Sequence, residues 1–324
     1  MGFMMKTWNV LPTVSAVALL TTALPLAANA ADGDKDLLTV YGKANVSLQR
    51  NDEGGKTTNE LESNASRFGV KGKQALESGL TAFYKFEWDV DLTDNAKGDN
   101  IKSRNQYVGL AGDFGEVMVG RRDTVLKSSQ GNTDVFSDYD GDIKALFEGE
   151  NRLSNSVTYF SPSFSNFKVG VSYILSEDEN VDDGVSASLM YGDEDLKATP
   201  YYFAIAADQD VDGWDVIRGT ASTAFNKTQV SLMLQTQESS MDSSIQGDGY
   251  MLSVAHPFGA LKLKAQFQSM DYDGFDTARS YSVGADYKLA KSTKVYTWVT
   301  HRTLATAEPN EDYIALGIEH KFSW

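Results

Sequence analysis

Three aspartates at alternating positions form the clearest candidate for a metal site in this sequence. Asp208, Asp210 and Asp212 are followed by Gly213, which matches the opening of a calcium-binding loop, where oxygen ligands alternate and a glycine makes the sharp turn. The twelfth position of that motif normally carries a bidentate glutamate, and here it is Gly219. The pattern therefore indicates either a weak divalent-cation site or an ordinary acidic surface loop.

The histidines are the next candidates for chemistry. His256, His301 and His320 lie in none of the common catalytic patterns, because the sequence contains neither a Gly-x-Ser-x-Gly nucleophile elbow nor a His-Glu-x-x-His zinc motif. The chain has no cysteine, which excludes thiol catalysis and thiolate metal sites. A serine and a histidine from different strands could still meet in space, but no motif favours this. We predict that the protein is not an enzyme and needs no cofactor.

The charge balance excludes another class of function. Acidic residues outnumber basic residues by 45 to 29, which gives a formal net charge of −16. Nucleic-acid binding needs a clustered cationic surface, so we predict no nucleic-acid partner. The absence of cysteine is compatible with an oxidising compartment, and 27 glycines against 6 prolines favour β-structure with tight turns.

The first thirty residues have the organisation of a secretory signal. An apolar run extends from Val10 to Leu26, and Ala28-Asn29-Ala30 provides the small-x-small pattern that signal peptidase cleaves. We predict a signal peptide over residues 1–30 and one mature domain over residues 31–324. The alternative is a membrane anchor, which is disfavoured because prolines and threonines interrupt the run before it reaches the ~20 apolar residues of a helical span.

Period-two alternation organises the rest of the chain. Between Leu80 and Asp89 every even position is apolar and every charged residue lies at an odd position, which is typical of a strand with one apolar and one polar face. Sixteen segments are predicted to form such strands: 38–48, 66–74, 80–90, 103–111, 116–122, 154–161, 167–175, 185–191, 196–206, 214–225, 229–236, 249–257, 260–270, 278–289, 293–302 and 312–322.

The connections between these segments alternate strictly between long and short. This is expected for an up-and-down antiparallel sheet with tight turns at one end and loops at the other. Most of the 45 acidic residues lie in the long connections, so we predict that the loop end is acidic. An even number of one-sided apolar strands in a secreted chain is typical of an outer-membrane barrel, which has no unpaired edge. We therefore predict an all-β, 16-stranded antiparallel transmembrane β-barrel; the alternative folds are a soluble β-sandwich and an extracellular β-solenoid.

Several short motifs carry a more specific resemblance. They are Leu38-Thr39-Val40-Tyr41-Gly42-Lys43, Ser66-Arg67-Phe68-Gly69-Val70-Lys71-Gly72, Ser103-Arg104-Asn105-Gln106-Tyr107-Val108-Gly109-Leu110 and Val119-Gly120-Arg121. These motifs resemble those of the general, non-specific porins of Gram-negative bacteria, and the similarity covers essentially all of the mature chain. The alternating apolar residues that end in Phe322 and Trp324 resemble the terminal signal read by the outer-membrane assembly machinery. That family usually ends in phenylalanine, and here the last aromatic residue is tryptophan.

The resemblance implies a pore constriction formed by the long connection from Asp123 to Leu153. In porins the third long loop folds into the lumen, and residues 133–142 align with the acidic part of that loop. Asp134 and Asp138 match its two pore-facing carboxylates, and Asp142 completes the predicted acidic set. The usual Pro-Glu-Phe-Gly-Gly appears here as Ser137-Asp138-Tyr139-Asp140-Gly141, so one proline and one glycine are replaced.

The resemblance also implies a row of basic residues on the barrel wall opposite this loop. The residues that match the row are Lys43, Arg67, Arg104 and Arg152, with Arg121 or Arg122 as an extension. Alternation along the first strand agrees, because Lys43 shares a face with Tyr41 and Asn45. Two roles are open for the row: it lines the pore, or it forms salt bridges that hold the loop.

The implied function is passive diffusion of small hydrophilic solutes and ions across the outer membrane of a Gram-negative bacterium, with a modest preference for cations. The resemblance further implies a homotrimer, with residues 91–102 as the candidate contact to a neighbour, and contact with membrane lipid and lipopolysaccharide. Two alternatives remain. A sugar-selective channel would use lumen-facing aromatic residues, for which Tyr41, Phe83 and Tyr139 are the candidates. A non-conducting structural or adhesive barrel would have a plugged lumen.

Overall fold

The computed structural model describes residues 37–93, 99–179, 181–306 and 309–324. The predicted signal peptide over residues 1–30 lies outside this part of the chain, as do residues 94–98 of the predicted trimer contact. The strands are β1 Thr39–Glu53, β2 Lys56–Ser63, β3 Arg67–Ala75, β4 Thr81–Val90, β5 Ile101–Gly112, β6 Gly115–Asp123, β7 Arg152–Phe160, β8 Phe167–Ile174, β9 Gly184–Gly192, β10 Tyr201–Val211, β11 Trp214–Phe225, β12 Thr228–Ser239, β13 Gln246–Phe258, β14 Leu261–Tyr272, β15 Ala278–Ala290, β16 Thr293–Thr303 and β17 Glu311–Ser323.

These strands form one closed antiparallel barrel. Each strand pairs with its neighbours in sequence, and the sheet closes where β1 pairs with β17. β2 and β3 both pair with β1 and form a single interrupted strand, so the wall has sixteen strands. Closure of the sheet between β1 and β17 leaves no edge strand in the wall, although the β2 part of the interrupted strand pairs with β1 alone. The predicted sixteen-stranded barrel is confirmed.

The interruption between β2 and β3 is held by side chains of the neighbouring strand. Ala65 adopts a positive φ of 49°, which breaks the regular ladder. The Asn45 side chain donates a hydrogen bond to the carbonyl of Asn64 at 3.0 Å, and the Asn45 backbone N–H donates to Ser66 Oγ at 2.9 Å. These bonds satisfy backbone groups that the missing ladder would otherwise leave unpaired.

The predicted strict alternation of long and short connections is wrong. Residues 54–55 and 212–213 are two-residue turns at the end where long loops were expected, and β2 occupies residues that were assigned to the first long connection. The strands continue beyond the apolar band into water, where polar side chains on both faces erase the period-two signal while backbone pairing persists. Gly54, Gly55 and Gly213 all have positive φ, as tight hairpins require.

Burial alternates along the strands in the sense opposite to that of a soluble protein. On β12 the apolar side chains of Val230, Leu232 and Leu234 are exposed, while Ser231 and Gln235 are buried. The outer face is therefore apolar and the inner face polar, as in a barrel surrounded by lipid. No helix in the described residues is long and apolar enough to cross a membrane.

Residues 124–151 connect β6 to β7 and are called the inner segment because many of their side chains are buried. They contain a short helix, α1 (Val125–Ser129), which is capped by the Thr124 hydroxyl, and a 3₁₀ turn, Ile143–Ala145, capped by the Asp142 carboxylate. The segment supplies seven of the larger buried apolar side chains of the described residues: Val125, Leu126, Phe136, Tyr139, Ile143, Leu146 and Phe147. They pack against wall strands around the barrel, so the main apolar core lies between the inner segment and the wall.

Candidate pore constriction

Asp138 lies at a tight bend of the inner segment. Its φ of 72° is left-handed, and two turn hydrogen bonds flank it, from Tyr139 N–H to the Phe136 carbonyl and from Asp142 N–H to the Tyr139 carbonyl. The Asp138 N–H donates to the Asp142 carboxylate at 2.9 Å. This bend points the Asp138 carboxylate away from the segment and toward the wall.

The Asp138 carboxylate meets two of the predicted basic residues. Its Oδ2 lies 2.8 Å from Lys43 Nζ on β1 and 2.6 Å from an Arg67 guanidinium nitrogen on β3. Burial acts to raise the pKa of Asp138, but Arg67 and Lys43 outweigh burial and lower it to about 2. The carboxylate is therefore charged at every physiological pH.

The other two predicted acidic residues serve the inner segment itself. Asp134 accepts hydrogen bonds from the backbone N–H groups of Phe136 and Ile143 at 2.8 and 3.0 Å, and from the Gln266 side chain at 3.0 Å. Burial, with Asp142 nearby, raises the pKa of Asp134 well above its ordinary value. Asp142 accepts from the N–H groups of Asp138 and Lys144. The structure thus brings only Asp138 to the basic row.

Arg104 and Arg152 pair with acidic residues of the wall instead of the inner segment. Arg104 lies 3.0 Å from Glu87 and 3.1 Å from Asp89, and Arg152 lies 2.8 Å from Asp123. The resemblance to porin motifs did not indicate Glu87, Asp89 or Asp123 as site residues. Alternation on β4 could have found Glu87 and Asp89, because both share the charged face of that strand.

Arg121 is not brought to the row. It shares the alternation of the exposed Val119, and its guanidinium donates a hydrogen bond to Ser154 Oγ at 3.2 Å. Arg122 points the other way and lies over the ring of Phe160, with 4.9 Å between the guanidinium carbon and the ring centroid. Of the two arginines considered at this position, Arg122 is therefore the one that faces inward.

A second set of contacts binds Tyr139 and Asp140, the two residues that follow Asp138, to the wall. Gln49 donates to the Asp140 carboxylate at 2.6 Å, and Arg302 donates to the Asp140 carbonyl. The Tyr139 ring packs against Tyr296 and Trp298, with centroids 4.9 and 5.8 Å apart. No motif in the sequence marked Arg302 or Gln49, because their partners lie far away along the chain.

An acidic cavity lies on the long-loop side of the bend. Its volume is about 650 Å³. Its charged lining residues are Glu53, Glu60, Glu62, Asp138, Asp140, Asp142, Lys144 and Arg302. Acidic groups outnumber basic ones among these lining residues.

The calcium-loop candidate does not form a ligand cluster. Asp208 is buried within β10, whereas Asp212 is exposed in the turn to β11. Among the described residues no group of three or more histidine or acidic side chains is arranged to hold a metal. The acidic-turn alternative fits this geometry.

The chain terminus forms part of the closing seam. Backbone hydrogen bonds join Val40 and Trp324 in both directions, at 3.1 and 2.9 Å. The Phe322 and Trp324 rings lie 5.2 Å apart, and Trp324 is 80% exposed. An aromatic pair at a strand end, with Trp324 exposed, suits the membrane–water interface.

Comparison with known proteins decides the family. A family model described as Gram-negative porin matches residues 15–304. The chain belongs to the Gram-negative porin family. Porins are outer-membrane proteins, and major outer membrane proteins of Halomonas elongata and Neisseria meningitidis are among the relatives of this chain. The protein is therefore an outer-membrane β-barrel, of a family whose members are typically channels and not enzymes.

The relatives align over nearly the full length. The chain is 25% identical to a monosaccharide porin of a Halomonas species, over 90% of this chain and 93% of the relative. It is 27% identical to outer membrane porin protein 32 of Delftia acidovorans, over 91% and 90%. The fold is similar to that of an anion-selective porin from Comamonas acidovorans, with a TM-score of 0.72, 22% identity and coverage of 89% of this chain and all of that one.

Proposed function

We propose that this porin is a passive diffusion channel for small hydrophilic solutes and ions, and that the inner segment narrows its lumen. The proposal depends on the two ion pairs that Asp138 forms with Lys43 and Arg67. Ion pairs that bind the bend to the wall fix the position of the segment. A fixed position of the segment sets the width of the opening that remains in the lumen.

Contacts with other wall strands support a lumenal position for the segment. Gln266 and Gln268 on β14 donate hydrogen bonds to the Gly141 carbonyl at 3.0 and 2.7 Å, and Ser253 on β13 donates to the Thr133 carbonyl at 2.6 Å. These wall residues belong to the buried, polar series of their strands. The segment also contacts β9, about halfway around the wall from β1, where the Leu126 N–H donates to Ser186 Oγ at 3.0 Å. Contacts with β1, β9, β13 and β14 support a path of the segment across the interior.

We further propose a modest cation preference. Support comes from the acidic cavity and from the charged state of Asp138. A unit charge about 4 Å from a passing ion is worth about 1 kcal/mol in water and about 4 kcal/mol at a protein surface. Lys43 and Arg67 place two positive charges beside the single negative charge of Asp138, so the preference depends on the excess of acidic groups in the cavity and is small.

Single-channel recording in a planar bilayer tests the function. The expected result is a stable ohmic conductance and a reversal potential under a KCl gradient that indicates cations. A purified, folded barrel that carries no current would instead support the non-conducting alternative.

A sugar channel is the second candidate, favoured by the monosaccharide porin among the relatives. Of the three aromatic candidates, Tyr139 is buried and the Tyr41 hydroxyl is bound to Glu87 at 2.9 Å. Phe83 lies edge-on to Tyr107 and lines an open cavity of about 420 Å³. Aromatic faces and polar groups in one cavity suit a sugar.

Liposome swelling separates the two candidates. A general channel admits glucose and other solutes of the same size equally, with or without Phe83. A sugar channel admits glucose faster than a size-matched polyol, and Phe83→Ala removes the difference while Phe114→Ala, an exposed turn residue, leaves it.

The homotrimer, the contact with lipopolysaccharide and recognition of Phe322 and Trp324 by the assembly machinery are further proposals from the family resemblance. Residues 91–93 and 99–102 of the proposed trimer contact border β4 and β5 at the long-loop end. Crosslinking of native membranes, followed by electrophoresis without heating, tests the trimer.

A further inference from the structure

Four consecutive strands each carry a lysine near the short-turn end of the barrel. Lys262 on β14, Lys288 on β15, Lys294 on β16 and Lys321 on β17 lie on the inner-facing series of their strands, and Lys291 occupies the turn between β15 and β16. All five lysines line one open cavity of about 330 Å³. The cavity lies at the opposite end of the lumen from the acidic cavity.

The acidic residues of this cavity are already engaged. Asp286 lies 3.3 Å from the ammonium of Lys264 and 3.1 Å from that of Lys294, and Glu319 lies 3.3 Å from that of Lys321. Within the described ranges no carboxylate lies at ion-pair distance from Lys262, Lys288 or Lys291. In the described part of the chain, three ammonium groups of the cavity therefore have no ion-pair partner.

The pairing of Lys288 with Lys294 in this cavity does not stabilise the barrel. Lys288 and Lys294 are direct cross-strand partners, and like charges directly opposite each other on a sheet are destabilising. Lys294 relieves part of the repulsion through Asp286, but Lys288 has no such partner in the described chain. A lysine cluster that is unfavourable for fold stability and faces the path of solutes is better explained by ligand binding than by a role in folding.

We propose that this lysine cavity binds small solutes that carry two or more phosphate or carboxylate groups. Ammonium groups bind phosphate and carboxylate oxygens as strong, charge-assisted donors. A multivalent anion can contact several lysines at once, whereas chloride contacts one or two. The role of the site in solute passage rests on the proposed channel function, but binding itself does not.

Isothermal titration calorimetry tests binding alone. Inorganic pyrophosphate is titrated into the folded barrel in a non-ionic detergent, which keeps lipid phosphates out of the assay. The wild type is expected to bind, and the triple substitution Lys262→Gln, Lys288→Gln and Lys291→Gln is expected to weaken binding about tenfold or more.

The matched control removes three lysines at the same end but outside the cavity: Lys168→Gln, Lys197→Gln and Lys227→Gln. Binding by this control should stay within about twofold of the wild type. Replacing the three cavity lysines with arginine should retain binding, because the charge is kept. The site is refuted if the wild type does not bind pyrophosphate, if the cavity variant binds as tightly as the wild type, or if the control loses as much affinity as the cavity variant.

Single-channel recording then tests the role in passage. Pyrophosphate on the short-turn side should reduce KCl conductance of the wild type and of the control variant, and should leave the cavity variant unaffected. A barrel that binds pyrophosphate but carries no current refutes the channel proposal and leaves the site standing. A channel that conducts normally but binds no pyrophosphate refutes the site alone.

Discussion

Asp138 and Arg67 form an ion pair of 2.6 Å between the bend of the inner segment and the wall strand β3. Lys43 shares the same carboxylate oxygen at 2.8 Å. Two cations on one carboxylate keep it ionised and immobile. We therefore expect the position and the ion selectivity of the proposed constriction to depend on Asp138.

Replacing Asp138 should therefore change ion selectivity. In Asp138→Asn, Lys43 and Arg67 lose their counter-charge, so the cation-to-anion permeability ratio should fall several-fold, as expected for one unit charge near a passing ion. Reversal potentials under a KCl gradient measure the ratio. Asp134→Asn is the control, because the Asp134 carboxylate is bound within the inner segment. An equal shift in both variants would show that Asp138 has no special position.

The low pKa of Asp138 predicts how this effect depends on pH. The ordinary pKa of aspartate is about 3.9, and in the folded barrel that of Asp138 is about 2. A pKa lowered on folding stabilises the folded state above about pH 4, by roughly 2 kcal/mol, and this contribution is lost as the pH falls toward 2. The selectivity difference between wild type and Asp138→Asn should persist from pH 7 to about pH 3 and disappear near pH 2. A difference that disappears between pH 5 and 4 would mean that the ion pairs do not hold in the membrane.

Shortening the inner segment should widen the channel. Removal of Ser128–Gly131 together with Asp142–Phe147 deletes the end of α1 and the buried Ile143 and Phe147. Conductance should rise and larger oligosaccharides should pass in liposome swelling. As a control, deletion of the exposed residues 241–243 between β12 and β13 should change neither. An unchanged exclusion limit in the first variant would place the segment outside the lumen.

The buried pair of Arg218 and Glu150 should stabilise the end of the inner segment. Arg218 has no exposed surface, lies 2.6 Å from Glu150, and donates to Gln235 at 2.7 Å and to the Glu148 carbonyl at 2.9 Å. Removing one partner of a buried ion pair typically costs 3–5 kcal/mol. Arg218→Met should lower the temperature at which the barrel unfolds on electrophoresis and should increase current noise.

The double variant Arg218→Met with Glu150→Gln is the control for this prediction. It leaves no unpaired buried charge, so it should recover part of the lost stability. A double variant that is less stable than Arg218→Met by the full effect of Glu150→Gln would show that the two residues act independently.

The aromatic terminus should be needed for assembly. Removal of Phe322–Trp324 takes away the backbone pair with Val40 and the interfacial rings. We expect unassembled chain in the periplasm and no heat-modifiable barrel in the outer-membrane fraction. Trp324→Phe restores the usual family residue and should assemble normally. Normal assembly of the truncated chain would contradict the role of this segment.

The strands could be predicted from the sequence because the alternation that indicates them is a local pattern. Alternation from Leu80 to Asp89 reports the two faces of β4 without knowledge of any neighbour, and the same holds for the segments that became β12 to β15. The strand ends could not be predicted, because both faces of a strand contact water outside the lipid and the alternation of apolar and polar residues disappears there. For this reason β2 was assigned to a connection.

The sequence by itself determined the fold class, the strand number, the family and the basic residues Lys43 and Arg67, since all of these depend on period-two patterns and short motifs. Only the tertiary structure decided which acid of the inner segment meets them. The left-handed bend at Asp138 turns that carboxylate toward the wall, while Asp134 and Asp142 bind backbone N–H groups of the segment itself. Residue type and spacing are alike for these three aspartates, and the difference arises from the path of the chain and from wall partners more than a hundred residues away, such as Gln266.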